Sequence, residues 1–320
     1  MTTRIIGTGR SVPSRKVTND DLAKIMDTSD EWIYTRTGIH NRHLVETETT
    51  TDMAADAAKQ AMEKAGVGSE EIELIIVGTV SGDMCYPSTA CLVQERIGAV
   101  NAVAYDISAG CSGFLFALNA AHAYISSGVY KCALVLGAET LSKMMDWSDR
   151  STCVLFGDGA GAAVVKADAT GIKAITQHSD GAGGGVLTCE NRASNNPYVK
   201  NEITLPYTKM AGQDVFKFAV KMVPRCIQDV VEKAGMSVED VDYFLLHQAN
   251  KRIIESVSKR LNVPIEKFPT NIEHYGNTSA ASIPILLDEL NSAGTFKKGD
   301  VIVMSGFGAG LTWGATLLEW

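Results

Sequence analysis

The strongest constraint on this chain is that it matches itself. Glu63-Lys-Ala-Gly66, Glu70-Glu71 and the apolar run Leu74–Val77 recur without a gap, 169 residues on, as Glu232-Lys-Ala-Gly235, Glu239-Asp240 and Tyr243–Leu246. Two further stretches match more loosely. The turn at Cys111 corresponds roughly to Tyr275-Gly-Asn277-Thr-Ser-Ala-Ala, and Val154–Val164 corresponds to the stretch from Met304 to Ala315. A repeat this long, with helical patterns alternating with short apolar runs, predicts an α/β protein of two similar halves, residues 1–170 and 171–320. The chain's 320 residues are enough for two packed halves. Ligands in such folds gather beyond the strand ends, near the junction of the halves.

The local signals fit that frame. Arg4–Gly9, Leu74–Val77, Ala102–Ile107 and Ala133–Leu136 read as strands, the third of them buried. Asn19-Asp-Asp21 and Ser29-Asp-Glu31 read as helix caps, and Thr51–Ala65 and Ser88–Ile97 as helices. Cys153–Lys166 reads as two strands around a glycine turn, and residues 171–210 as a strand followed by a long loop. Gly157-x-Gly159-x-Gly161 imitates a dinucleotide fingerprint, but the β-like Ala162–Lys166 follows where a helix is required.

Ala109-Gly-Cys111-Ser-Gly113 lies between a strand and the helical pattern Phe114–Ile125. This puts Cys111 on a tight turn at a helix N-terminus, where free N–H groups and the helix dipole favour a thiolate nucleophile. In the second half, Tyr243–Leu246 runs into His247, and Asn277 sits in the turn that mirrors the Cys111 turn. Gly306-Phe-Gly-Ala-Gly310 offers backbone N–H groups with little side-chain obstruction. Taken singly, a strand-end His and an Asn between Gly and Thr are ordinary structural residues. Their fall at equivalent junctions of a duplicated fold is what points to a site.

Several classes are disfavoured. The net charge of −8 argues against a general nucleic-acid binder. No apolar run of about 18 residues predicts a membrane span, and no apolar signal region opens the sequence, so a cytoplasmic location is expected. Seven scattered cysteines form no CxxC pair and support neither a disulfide framework nor a zinc site. His40 and His43 have no metal-spaced partners and read as surface residues.

At this point the motifs carry a family resemblance over essentially the whole length. Asp30-Glu-Trp-Ile-Tyr-Thr-Arg-Thr-Gly-Ile39, Ala109-Gly-Cys-Ser-Gly-Phe114, Phe156-Gly-Asp-Gly-Ala-Gly161, His247-Gln-Ala-Asn250, Tyr275-Gly-Asn-Thr-Ser279 and Gly306–Gly314 together resemble the β-ketoacyl-acyl-carrier-protein synthase III family. The resemblance implies a thiolase-like fold with α-β-α-β-α layers. It also implies decarboxylative condensation of an acyl-CoA primer with malonyl-acyl carrier protein, which starts fatty acid synthesis. Cys111 would carry the acyl group, His247 and Asn277 would assist decarboxylation, and the N–H groups of Cys111 and Ala309 would form an oxyanion hole. Coenzyme A would meet Trp32, Arg36, Arg150, Gly212 and Asn250. The carrier protein would meet Lys217, Gln248, Ala249, Asn250, Lys251, Arg252 and Lys259, of which Arg252 and Lys259 share a helix face above inward-turned Ile253, Val257 and Leu261. Tyr86 and Phe307 would shape the acyl pocket, with Tyr86 reaching into the partner of a homodimer. No metal or other cofactor is implied, since coenzyme A enters as the substrate's thioester. Two other activities stay open on the same residues: a specialised starter enzyme with another acyl donor, and a thioesterase using Cys111. Primer preference is not legible.

Overall fold

The computed structural model describes residues 1–202 and 204–320. Its first half contains β1 (Thr2–Ser11), α1 (Asp30–Thr37), α2 (Thr50–Ala65), β2 (Leu74–Gly78), α3 (Thr89–Ile97), β3 (Val103–Ile107), α4 (Gly113–Ser126), β4 (Cys132–Glu139) and β5 (Gly159–Asp168). The second contains β6 (Ile172–Ser179), α5 (Gly212–Lys233), β7 (Tyr243–Leu246), α6 (Lys251–Leu261), α7 (Ser282–Ser292), β8 (Val301–Gly308) and β9 (Thr312–Glu319). The first sheet has the order β1-β5-β4-β2-β3 and the second β7-β8-β9-β6. In both, parallel pairing (β3 with β2 and β2 with β4 in the first, β7 with β8 in the second) is followed by two antiparallel pairs.

The 169-residue offset holds well beyond the block that reveals it. It carries β4 onto β8 (Cys132 onto Val301), the turn Gly110–Ser112 onto the turn Ser279–Ala281, and the start of α4 onto the start of α7. These two helices form the middle layer. Phe114, Leu115 and Leu118 of α4 and Ile283, Leu286 and Leu287 of α7 share one core with Leu74 and Ile76 from the first sheet and Ile302 and Met304 from the second. The outer face of the first sheet packs on α2 and α3 through small residues such as Ala54, Ala57, Ala58 and Ala61. The outer face of the second packs on α5 and α6. Helix, sheet, helix pair, sheet and helix make five layers, so the two turns that open α4 and α7 meet at the centre of the molecule.

Local capping follows the sequence with small shifts. Ser29, Thr49 and Ser88 each accept a hydrogen bond from a first-turn N–H of α1, α2 and α3. The short helix Asn19–Leu22 is capped by Thr18, not by the Asn19–Asp21 cluster, and Asp21 closes the capping box from inside. Three expectations are corrected. Cys153–Lys166 holds one strand: Cys153–Leu155 lies in a turn, Phe156 makes an isolated bridge to Asn277, and the glycines at 159 and 161 lie within β5. Met304–Gly308 belongs to β8, the counterpart of β4, so only the strand that follows, β9, matches β5. Finally β3 is an edge strand, its residues half-buried or exposed, since no strand among the described residues pairs with its outer side.

Candidate active site

Cys111 sits in the 3₁₀ turn Gly110–Ser112 that leads into α4. Gly110 has φ +53°, a left-handed conformation in which glycine is at ease. The loop after β8 closes over this turn. A Cβ on Gly308 would lie 2.4 Å from the Cys111 nitrogen, so only glycine lets the two backbones approach this closely. Thr312 Oγ1 donates to the Ala109 carbonyl at 2.8 Å and ties the loop down. Cys111 and Ala309 thus come side by side with their N–H groups at one junction. Ala309 has no positive φ, so its methyl introduces no backbone strain.

Asn277 is clamped through its backbone. Its N–H donates to Leu155 O at 2.8 Å, and its carbonyl accepts from Gly157 N–H at 3.0 Å. Its side-chain Oδ1 accepts the Ser279 N–H at 2.9 Å. That contact fixes the amide, since an N–H cannot donate to an NH₂, and leaves Nδ2 as the free donor.

His247 follows β7 and is buried. Its Nδ1 lies 2.7 Å from Ser282 Oγ, which also accepts the Gln248 N–H at 3.3 Å. The Ser282 hydroxyl can accept from Gln248 and still donate its own hydrogen to Nδ1, an arrangement that would place the ring proton on Nε2. Phe307 meets the imidazole edge-on, with ring centroids 5.4 Å apart. Burial pushes the His247 pKa down to about 3, so the ring is neutral at working pH.

The charge state of Cys111 corrects the sequence reading. Burial pushes its pKa up to about 12; a hydrogen bond with Ser279 works the other way, and the Glu139 charge adds to the rise. A helix N-terminus supplies only about half a unit charge, and enclosure of the sulfur outweighs it. The resting group is a thiol.

Cys111, His247 and Asn277 line one cavity of about 370 Å³ together with Trp32, Arg36, Gly212, Ala249, Asn250, Arg252 and Phe307. His247 and Asn277 are buried, whereas Arg36 and Arg252 are exposed, so the cavity runs from the interior to the surface. Arg36 and Arg150 lie over the Trp32 ring at 4.7 and 4.9 Å. Asn250 caps α6 by accepting from Arg252 N–H, and its Nδ2 donates to Arg36 O, both at 2.9 Å. A second cavity of about 840 Å³ meets the first at Cys111, and its walls include Leu141, Met144, Met145, Leu187 and Leu205.

Some predicted contacts fall elsewhere. Gln248 is buried, donates to Leu246 O at 2.7 Å and accepts from Asn271 N–H at 3.2 Å, so it pins the strand end and is withdrawn from the carrier-protein surface. Lys251 is half-buried, with its Nζ 5.9 Å from the Tyr34 ring centroid. Lys217, Arg252 and Lys259 are exposed, and Ile253, Val257 and Leu261 point inward. Phe307 lines the narrower cavity beside His247, not the wider one. Tyr86 is 87% exposed and touches neither cavity, although its neighbour Cys85 lines the wider one. His40 and His43 are half-buried structural residues, bonded to Asp30 and to Pro13 O, each at 2.7 Å. Among the described residues no three His, Cys, Asp or Glu side chains form a metal-binding group, and no helix is long and apolar enough to cross a membrane. Sequence reasoning missed Ser279, Ser282 and Glu139; carrying the 169-residue offset onward from Gly110 and Gly113 lands on the two serines.

The chain is similar over its length to known proteins. Residues 105–181 match the family 3-oxoacyl-[acyl-carrier-protein] synthase III, and residues 231–320 match its C-terminal family. A β-ketoacyl-[acyl-carrier-protein] synthase III of Clostridium acetobutylicum is 50% identical over 319 residues, covering 99% of this chain and 98% of that protein. The crystal structure of 3-oxoacyl-[acyl-carrier-protein] synthase III from Aquifex aeolicus superposes with a TM-score of 0.94 at 48% identity, covering 99% of this chain and all of the other. The priming β-ketosynthase of the R1128 polyketide pathway superposes with a TM-score of 0.93 at 38% identity, covering 99% and 96%. With one family match in each half, full-length identity near one half and a TM-score of 0.94 to a solved member, the chain belongs to the β-ketoacyl-[acyl-carrier-protein] synthase III family of condensing acyltransferases.

Proposed function

We propose that this chain condenses an acyl-CoA primer with malonyl-acyl carrier protein, by way of an acyl-Cys111 intermediate, and so starts fatty acid synthesis as a cytoplasmic homodimer. One observation carries the reading: a single cavity joins Cys111, His247 and Asn277 at its buried end to Trp32, Arg36 and Arg252 at its exposed end.

In the first half-reaction the Cys111 sulfur attacks the primer thioester. The N–H groups of Cys111 and Ala309 stabilise the oxyanion, and coenzyme A leaves. Arg36 and Arg150 beside Trp32 suit the phosphates and purine of that nucleotide. The apolar walls of the wider cavity suit the acyl chain. In the second half-reaction malonyl thioester loses CO₂, and negative charge develops on its carbonyl oxygen. His247 Nε2–H and Asn277 Nδ2–H donate to that oxygen, and neither donor loses its hydrogen near neutral pH. The enolate carbon then attacks acyl-Cys111 and releases the β-ketoacyl product. The open edge of β3 and the solvent-exposed Tyr86 beside the wider cavity support a second protomer packing there.

Labelled acyl-CoA should transfer its acyl group to Cys111, read by intact and peptide mass, and then to malonyl carrier protein. Cys111→Ser should abolish both, because a hydroxyl yields far less nucleophile than a thiol at neutral pH. Label that reached Cys111 and passed only to water would make the chain a thioesterase. Rates over a panel of acyl-CoA primers would separate a straight-chain primer role from a specialised starter.

A further inference from the structure

Arg42 is a fully buried cation that lines neither cavity. It sits in the short strand Asn41–His43, which pairs with Lys16–Thr18. Its Nη2 donates to Val154 O at 2.8 Å and its Nη1 to Val17 O at 3.3 Å. Both acceptors are backbone carbonyls rather than carboxylates. A charge taken out of water without a counter-charge is costly, so filling space does not account for an arginine here.

Its surroundings do. The strand Asn41–His43 is tied to both segments that hold Asn277. On one side Asp158 N–H donates to His43 O at 2.8 Å. On the other, His40 N–H donates to Glu273 O at 3.0 Å, in the short helix Ile272–Tyr275. These two segments meet at a seam, where Phe156 bridges Asn277 in parallel and Leu155 O and Gly157 N–H hold the Asn277 backbone. The seam closes over two glycines. A Cβ on Gly157 would lie 2.2 Å from Tyr275 O, and one on Gly276 would lie 2.9 Å from Leu155 O. The same two Cβ atoms would lie 3.2 and 3.3 Å from the Arg42 Cβ, so the Arg42 side chain leaves its strand at the seam itself.

We propose that Arg42 is a positioning residue for Asn277. By holding Val154 O, the guanidinium fixes the stretch whose Leu155 O and Gly157 N–H grip Asn277 from both sides, and so sets where Asn277 Nδ2 points. Removing it takes a donor from Val154 O and lets the seam shift relative to Cys111, which Gly308 and Thr312 hold separately. Displacing a catalytic group by about an ångström costs on the order of a hundredfold in rate. The inference rests on Asn277 donating to the malonyl enolate in the proposed reaction, so the loss should fall on that step.

The test follows two half-reactions of the full-length protein: CO₂ release from labelled malonyl carrier protein, and single-turnover acylation of Cys111 at saturating acyl-CoA. Arg42→Met keeps the bulk of the stem and has no donor. It should cut CO₂ release by roughly 10- to 100-fold and leave acylation within a few-fold of the unaltered rate. In an Asn277→Ala background the same substitution should cost less than about twofold, because no amide is left to aim. Equal losses in the two half-reactions overturn the proposal, since Arg42 would then serve the fold alone. A full further loss on top of Asn277→Ala also overturns it, since Arg42 would then act without Asn277. If Arg42→Met does not fold, Arg42→Lys goes through the same cycle. Its single ammonium cannot span Val154 O and Val17 O as the planar fork does, so CO₂ release alone should fall several-fold; a lysine variant equal to the unaltered protein, or additive with Asn277→Ala, overturns the proposal. An unaltered protein that releases no CO₂ sinks the proposed function itself, whereas the variants judge Arg42 once that release is seen.

Discussion

The two halves present the same elbow twice and use it differently. Across the offset, Cys111 faces Ala280, Gly110 faces Ser279, Gly78 faces His247, Ser108 faces Asn277, and Glu139 faces Gly308. At most of these positions one half carries a reactive or polar side chain and the other a small residue that makes room for it. Gly308 lets the second-half loop close to within contact of the Cys111 nitrogen, while its counterpart Glu139 reaches the Ser279 hydroxyl. Duplication thus supplies two strand ends and two helix starts that meet at the centre, and asymmetry between the copies makes the site. On the proposed reaction the nucleophile belongs to one copy and the enolate donors to the other, so the two half-reactions should be separable by substitution.

The sharpest break in that comparison is Asn277→Ala. It removes one donor aimed at the developing enolate, on the scale of a lost oxyanion donor, about 10²–10³-fold. CO₂ release from labelled malonyl carrier protein should fall by that order, while acyl transfer to Cys111 stays within a few-fold of the unaltered rate. Loss of acylation with retained CO₂ release would reverse the roles of the two halves.

Ser282→Ala should have a smaller effect on the same step. Without the hydroxyl at Nδ1, the imidazole can take the other tautomer, which turns an Nε2 lone pair toward the enolate. Decarboxylation should slow about tenfold, on the scale of one weakened hydrogen bond. In the unaltered protein, CO₂ release should show no acid limb near 6.5, the ordinary His value, because His247 protonates only near pH 3. A limb at 6.5 would mean that the imidazole is far more solvated than its surroundings imply.

The legible part of the molecule is the part set by periodicity and small-residue punctuation. Leu74–Val77 and Tyr243–Leu246 announce the repeat, and Cys111, His247 and Asn277 fall at its junctions. The alignment fails at Val154 because 19 residues separate β4 from β5 whereas three separate β8 from β9, and the glycines of both stretches imitate one another. Glu139 is hidden at the end of an apolar run that reads as plain core. Ser279 is hidden because only its dihedral angle distinguishes it from any other turn serine. Gln248 misled because its place between His247 and Asn250 says nothing of its burial. The thiolate expectation for Cys111 weighed the helix end, which sequence shows, without the enclosure, which it does not.

The smallest expected effect concerns the surface, where the halves are least alike. Arg252 on α6 lines the exposed end of the narrow cavity, lies 5.9 Å from the Phe216 ring centroid, and has no ion-pair partner among the described residues. Lys217 on α5 already pairs with Asp214 at 3.3 Å. An acidic carrier protein would therefore meet a free charge at Arg252 and a partly neutralised one at Lys217. Exposed opposite charges mainly steer encounter and are screened by salt. Arg252→Glu should raise KM for malonyl carrier protein several-fold at low salt, roughly the 0.5–1 kcal/mol of an exposed pair, and the difference should shrink as ionic strength rises. Lys217→Glu should do less, and neither should change acylation of Cys111 by acyl-CoA. Steady-state KM at two salt concentrations, beside single-turnover acylation, measures both. Equal loss in acylation and in overall rate for Arg252→Glu would move Arg252 from the carrier surface to the coenzyme A site.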